Sequence, residues 1–185
     1  MTPVLRELLE GWRPGNLPQV TRSGATYQQV INRTQRQLTD LVMEYHNQES
    51  YDQTTQMIRE EIDETLRRYH KYCIRDHVGA HYRESDLPRN HPVEFEHVIP
   101  IRVVRESLLA GRLTREQALN VPTCYLSREK HTKLNQIGMQ YSTPCSYWFW
   151  QRYQKLDIKI QTRNGDSVDL GSWNLDDHFR YFESL

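Results

Sequence analysis

The chain has 185 residues, 37% hydrophobic and 26% charged, which suits one folded core with a helical appendage and holds no apolar run near the roughly 18–20 residues of a membrane span. Lys plus Arg and Asp plus Glu number 24 each, so the formal charge is zero; this argues against a constitutively basic nucleic-acid coat but leaves room for a local basic face. The three cysteines, Cys73, Cys124 and Cys145, are odd in number, widely spaced and without a CxxC pair, so reduced thiols are expected rather than a disulfide framework or a zinc ribbon.

Residues 1–10 carry charges throughout and lack an apolar signal core. The expected location is therefore cytoplasmic, in a host cell if the chain is phage-encoded. After a short first helix, residues 11–24 hold three glycines with Pro14, Asn16 and Pro18, a loop composition. Leu38, Leu41, Val42 and Tyr45 fall at helical spacing, and so do Ile58, Ile62, Leu66 and Tyr69. The stretch 26–72, broken near 47–52, is read as two antiparallel helices, the second capped by Asp52 or Thr55. A scaffold or homodimerisation hairpin is the favoured role for them, ahead of direct DNA contact.

Residues 79–92 read as irregular, with Pro88 and Pro92 as breakers. Residues 93–101 (VEFEHVIPI) begin with apolar–polar alternation, a half-buried strand that Pro100 ends. Short helices are expected at 103–109 and 114–119, a second strand at 121–126 (VPTCYL), and a helix over 128–137 with Ser127 as its N-cap. Residues 145–153 (CSYWFWQRY) form an aromatic strand or helix. Ile158, Ile160 and Thr162 alternate before an Asn164-Gly165 turn, and Val168 and Leu170 supply the return arm of a hairpin. A closing helix over 175–185 starts near Asn174 or Asp176. The fold class is α+β, with a helical region at 1–78 and a second domain at 79–185.

Two segments carry chemistry. Glu96 and His97 stand side by side at the end of the first strand. Adjacent strand residues point to opposite faces, so these two converge on one phosphate only where the strand bends or stops, and Pro100 gives a reason for it to stop. In the helix after Ser127, His131 and Asn135 are four apart and share one face. Phosphodiester hydrolysis needs a base for water, neutralisation of charge on the phosphate, and stabilisation of the leaving 3′ oxygen. The His97 imidazole suits the first task. A divalent cation held by Glu96 and His131, with Asn135 as a further donor, suits the other two. This mixed nitrogen and oxygen set takes Mg2+, Mn2+, Zn2+ or Ni2+, with Mg2+ expected first.

These residues resemble the HNH, or ββα-metal, endonucleases. The run from Glu96 to Pro100 resembles the first half of that motif, residues 120–126 (NVPTCYL) its middle, and residues 127–133 the helix that ends it. The family includes colicin-type nucleases, group I intron homing endonucleases, phage resolvases and the HNH domain of RNA-guided nucleases. The match spans residues 93–137, about a quarter of the chain. It implies a ββα-metal core with His97 as general base and Glu96 as metal ligand, in a slot more often filled by Asp or His. It further implies that Asn120 holds the base across the β-turn, that His131 binds the metal and that Asn135 adds a ligand. Arg102, Arg128 and Lys133 are expected phosphate contacts. One divalent ion and double-stranded DNA follow as cofactor and partner, with RNA not separated from DNA by sequence, and no membrane partner is expected. The connection from His97 to Asn120 is longer than the family's short loop, and its bracing cysteine pairs are missing. A binding module that keeps the core without cutting is the competing function.

Elsewhere, Cys73, His77 and His81 lie four apart and, with His70 or His91, make a candidate structural zinc set against the ordinary account of solvated helix residues. Tyr147, Trp148, Phe149 and Trp150 would stack on bases or, more commonly, fill a core. Arg59, Arg67, Arg68 and Arg75 make a solvated helix face or a DNA track.

Overall fold

A computed structural model of the chain describes residues 27–48, 52–76, 79–88, 91–139 and 142–183. The expected first helix, the loop at 11–24 and His77 lie outside the described residues. The described chain is mixed α+β and divides into two compact units, residues 27–76 with 104–120, and residues 79–103 with 121–183.

The first unit is helical. Helices α1 (Tyr27–His46) and α2 (Gln53–Tyr69) follow the apolar periodicity. Ile31, Leu38 and Leu41 of α1 are buried, as are Ile58, Ile62, Leu66 and Tyr69 of α2. Asp52 caps α2, its side chain accepting the Thr55 N–H at 3.1 Å. No breaker follows Tyr69, and the helix runs on as a π-helical turn, His70–Arg75, that buries His70, Cys73 and Ile74. The unit is completed by residues 104–109 of α3 (Ile101–Leu109) and by α4 (Arg115–Leu119). A capping box starts α4: the Thr114 hydroxyl accepts from Gln117 N–H, and the Gln117 side chain accepts from Thr114 N–H. Buried Arg105 pairs with Asp63 and with Glu106 at 2.8 Å each, and Arg59 also pairs with Glu106. Burial raises the Asp63 carboxyl above its ordinary value despite Arg105. At Glu106 burial acts in the same direction, but the hydrogen bonds from Arg105 and Arg59 prevail and hold it below the usual range.

The second unit is built on a sheet of four strands: β1 (Tyr82–Glu84), β2 (Val93–His97), β3 (Thr123–Ser127) and β4 (Ile160–Thr162), in the order β2-β3-β1-β4. β2 and β3 are antiparallel, with Val93 opposite Ser127 and His97 opposite Thr123. β3 is parallel to β1, and β1 is antiparallel to β4. Residues 79–92 are therefore not wholly irregular, since β1 lies within them; three residues are too few to show alternation. Helix α5 (Arg128–Gln136) starts directly after β3. Ser127 caps it, its hydroxyl accepting the Lys130 N–H at 3.3 Å, while its own N–H donates to Glu84 Oε2 at 2.9 Å. Gly138, at φ +71°, ends the helix in the left-handed region, and the Met139 N–H reaches back to the Leu134 carbonyl at 3.3 Å.

The aromatic segment is neither a strand nor a full helix. Turns lead into a single helical turn, α6 (Gln151–Gln154). Phe149, Trp150 and Tyr153 are buried, with Trp150 edge-on to Tyr82 and Tyr153 at 4.9 and 5.0 Å between centroids. The hairpin turns at Gly165, φ +97°, but its return arm is a bridge from Ser167 to Gln161 and not a strand. The Asp169 side chain accepts from Gly171 N–H and Ser172 hydroxyl, and this local turn draws the chain out of the ladder. Helix α7 (Leu175–Glu183) closes the unit, with the Asn174 side chain accepting from Asp176 and Asp177 N–H. Among the described residues no helix is long and apolar enough to cross a membrane.

Candidate metal and catalytic site

The antiparallel register puts Ser127 beside Val93, so the chain leaving β3 emerges at the start of β2. A helix beginning at Arg128 has to turn back over the strand pair, and one turn in, His131 meets Glu96. His131 Nε2 lies 3.1 Å from Glu96 Oε2. The Glu96 side chain is 12% exposed and that of His131 25%, so the pair sits at a rim and not in the core. Two donors that each lie about 2.0–2.2 Å from one cation, at roughly a right angle, are ~3 Å apart. The separation therefore suits a shared ion as well as a direct hydrogen bond.

The other carboxylate oxygen, Glu96 Oε1, is ion-paired with Arg152 Nη2. Arg152 is wholly buried; its Nη1 donates to the Met139 carbonyl at 2.7 Å and its Nη2 to the His97 carbonyl at 3.2 Å. Sequence reasoning did not reach this residue. The available signal was a single cation inside an aromatic run whose neighbours Trp150 and Tyr153 are core residues; a guanidinium buried there requires a buried carboxylate nearby.

His97 is the last residue of β2, three positions before Pro100. The strand stops where the Val98 N–H turns to the Pro122 carbonyl, at 3.1 Å. The His97 ring is edge-on to Phe95 at 5.4 Å, and Phe95 in turn meets Tyr125 across the strand pair at 5.9 Å. That row occupies the face of β2 opposite to Glu96: the ladder stays regular through His97, so the strand does not bend there to bring the two side chains together, contrary to the expectation from Pro100. Asn135 is half-buried one turn beyond His131, with no hydrogen bond from its side chain to Glu96 or His131. Asn120 belongs to the helical unit, where it is the C-cap of α4 and its Nδ2 donates to the Glu116 carbonyl at 2.9 Å. Arg128 and Lys133 are exposed on α5, Lys133 ion-paired with Glu129 at 2.6 Å, and Arg102 is exposed on α3. The structure thus joins Glu96, His131 and the main chain of His97 through a residue the sequence did not single out.

The other candidates resolve differently. Cys73 is buried in the helical unit, and burial pushes its thiol up to about 12. His81 is buried in the sheet unit, with Nδ1 2.9 Å from the Thr123 hydroxyl and its ring against His178 and Phe182. Among the described residues, no group of three or more His, Cys, Asp or Glu is placed to hold a metal ion. The aromatic quartet splits: Phe149 and Trp150 are core, whereas Tyr147 and Trp148 are 39% and 40% exposed. Arg59 and Arg75 are ion-paired, while Arg67 and Arg68 are exposed. Set against protein-family models, curated proteins and solved structures, the chain has no match in any of the three.

Proposed function

We propose that the chain is a metal-dependent endonuclease of the HNH type that hydrolyses phosphodiester bonds of double-stranded DNA. The observation that carries this reading is the 3.1 Å approach of Glu96 Oε2 to His131 Nε2, at the meeting of a strand end and a helix. An antiparallel strand pair followed at once by a helix is the order of elements that the HNH resemblance implies. Glu96 would offer one carboxylate oxygen and His131 one ring nitrogen to a divalent cation, with the Asn135 amide one turn further along the same helix. Mg2+ is the expected ion, with Mn2+, Zn2+ or Ni2+ as substitutes. Such an ion supplies charge neutralisation at the phosphate and stabilisation of the leaving 3′ oxygen. By the resemblance His97 would take the proton of the attacking water, which requires its ring to turn from the Phe95 face of β2 to the Glu96 face at the strand end. Arg128, Lys133 and Arg102 supply exposed positive charge for the DNA backbone.

A second reading, a nucleic-acid or protein-binding module that does not cut, is favoured by one specific feature. Both oxygens of Glu96 already have protein partners, His131 on one and Arg152 on the other. Supercoiled plasmid incubated with the chain and Mg2+, Mn2+ or EDTA separates the two. Nicking that depends on the ion is expected, and His97→Ala should slow it by about 10²–10⁴-fold while leaving fold and Mn2+ binding in place. Plasmid left supercoiled by the wild-type chain, with either ion, would remove the nuclease reading.

A further inference from the structure

We infer that Arg152 is a positioning residue that holds the two halves of this site in register, an inference that rests on the nuclease reading. Its guanidinium touches both segments at once. On one side it meets the end of β2, through Glu96 Oε1 and the His97 carbonyl at 3.2 Å. On the other it meets the Met139 carbonyl at 2.7 Å, at the residue after Gly138, where the chain leaves the helix that carries His131. A guanidinium is planar and presents its N–H groups in a fixed fork, so three acceptors bound to it cannot shift independently. Arg152 itself is held from behind: its Cζ lies 5.5 Å from the Tyr153 ring centroid, and Tyr153 packs on Trp150 in the aromatic core.

This arrangement determines how Glu96 acts. Oε1 is committed to Arg152, so only Oε2 faces His131, and Glu96 serves as a one-oxygen ligand. Without the clamp the carboxylate could rotate or chelate with both oxygens, and α5 could slide relative to β2. Lysine in place of Arg152 keeps the charge and three donors, but all on one nitrogen, without the spaced fork by which Nη1 and Nη2 reach the two segments.

The test uses the full chain, with Mn2+ binding followed by water-proton relaxation alongside plasmid nicking. Arg152→Lys should weaken Mn2+ binding by about 10–100-fold and slow nicking by a similar factor, the range found when groups that orient metal ligands are altered. Arg105→Lys, which perturbs the ion pairs of the helical unit, should lower the urea midpoint without moving Mn2+ affinity. A folded Arg152→Lys chain that binds Mn2+ and cuts like the wild type would overturn the inference alone. A wild-type chain that neither binds Mn2+ nor cuts would overturn the nuclease reading and this inference with it. Should Arg152→Lys fail to fold, the guanidinium ¹⁵N signals of Arg152 in the wild-type chain decide. A shift on adding Mg2+ that saturates supports the clamp, and signals that stay unmoved refute it.

Discussion

Glu96 shares its carboxylate between a fixed cation and an imidazole, Arg152 on Oε1 and His131 on Oε2. A charge as buried as Arg152 depends on that carboxylate, so breaking the pair costs more than the pair contributes in net terms. Glu96→Ala should destabilise the chain by about 3–5 kcal/mol in urea unfolding, because the guanidinium would keep its two carbonyls but lose its counter-charge. Adding Arg152→Met should recover most of that loss, since an apolar side chain in the same space carries no desolvation penalty. Equal destabilisation in the single and double variants would show that the ion pair is not what holds this corner together. Glu96 and His131 were singled out from the sequence because the HNH resemblance names residue types at set positions. Arg152 was not, because its role depends on a distance between segments that no local pattern encodes.

At the scale of elements, the long helices and the start of α5 were readable from the chain. Apolar periodicity marked α1 and α2, and Asp52 and Ser127 marked two helix starts through side chains that accept backbone N–H groups. The end of α5 is set by Gly138, at φ +71°, where a Cβ would meet nothing within 4 Å. Gly138→Ala therefore probes backbone strain alone and should cost about 1–2 kcal/mol by urea unfolding, with Gly138→Asn costing less. An alanine variant as stable as the wild type would show that the helix ends in another way. The strand β1 and the weak return arm of the hairpin were not legible. The first is too short for periodicity, and the second was redirected by the side-chain turn at Asp169.

At the scale of the whole molecule, stability should depend on pH through a buried histidine that the nuclease reading does not use. His70 is fully buried in the helical unit, its Nε2 3.1 Å from the Leu119 carbonyl. Burial lowers its pKa to about 4 from 6.5, against the opposing pull of the Leu119 and Ala118 backbone. Between those two values the unfolded chain holds a proton on this imidazole that the folded chain does not. The stabilising contribution is therefore complete above about pH 6.5 and lost as pH falls toward about 4. The urea midpoint should drop across that window, and His70→Gln, which keeps an N–H for the carbonyl without a titrating ring, should flatten the drop. A variant with the wild-type slope would assign the pH dependence to other groups.

The chain by itself determined the mixed α+β class and the helical hairpin of α1 and α2, because periodicity and capping are local properties of sequence, whereas Glu96, His97 and His131 were singled out through the HNH resemblance. Tertiary structure alone decided that segment 104–120 groups with the helical unit, which accounts for the long connection between His97 and Asn120. It also decided that β1 lies between β3 and β4 and that a buried arginine from the aromatic run reaches the carboxylate at the end of β2. Those outcomes depend on which distant surfaces bury one another, and on a buried charge finding its partner, and neither is written in the order of neighbouring residues.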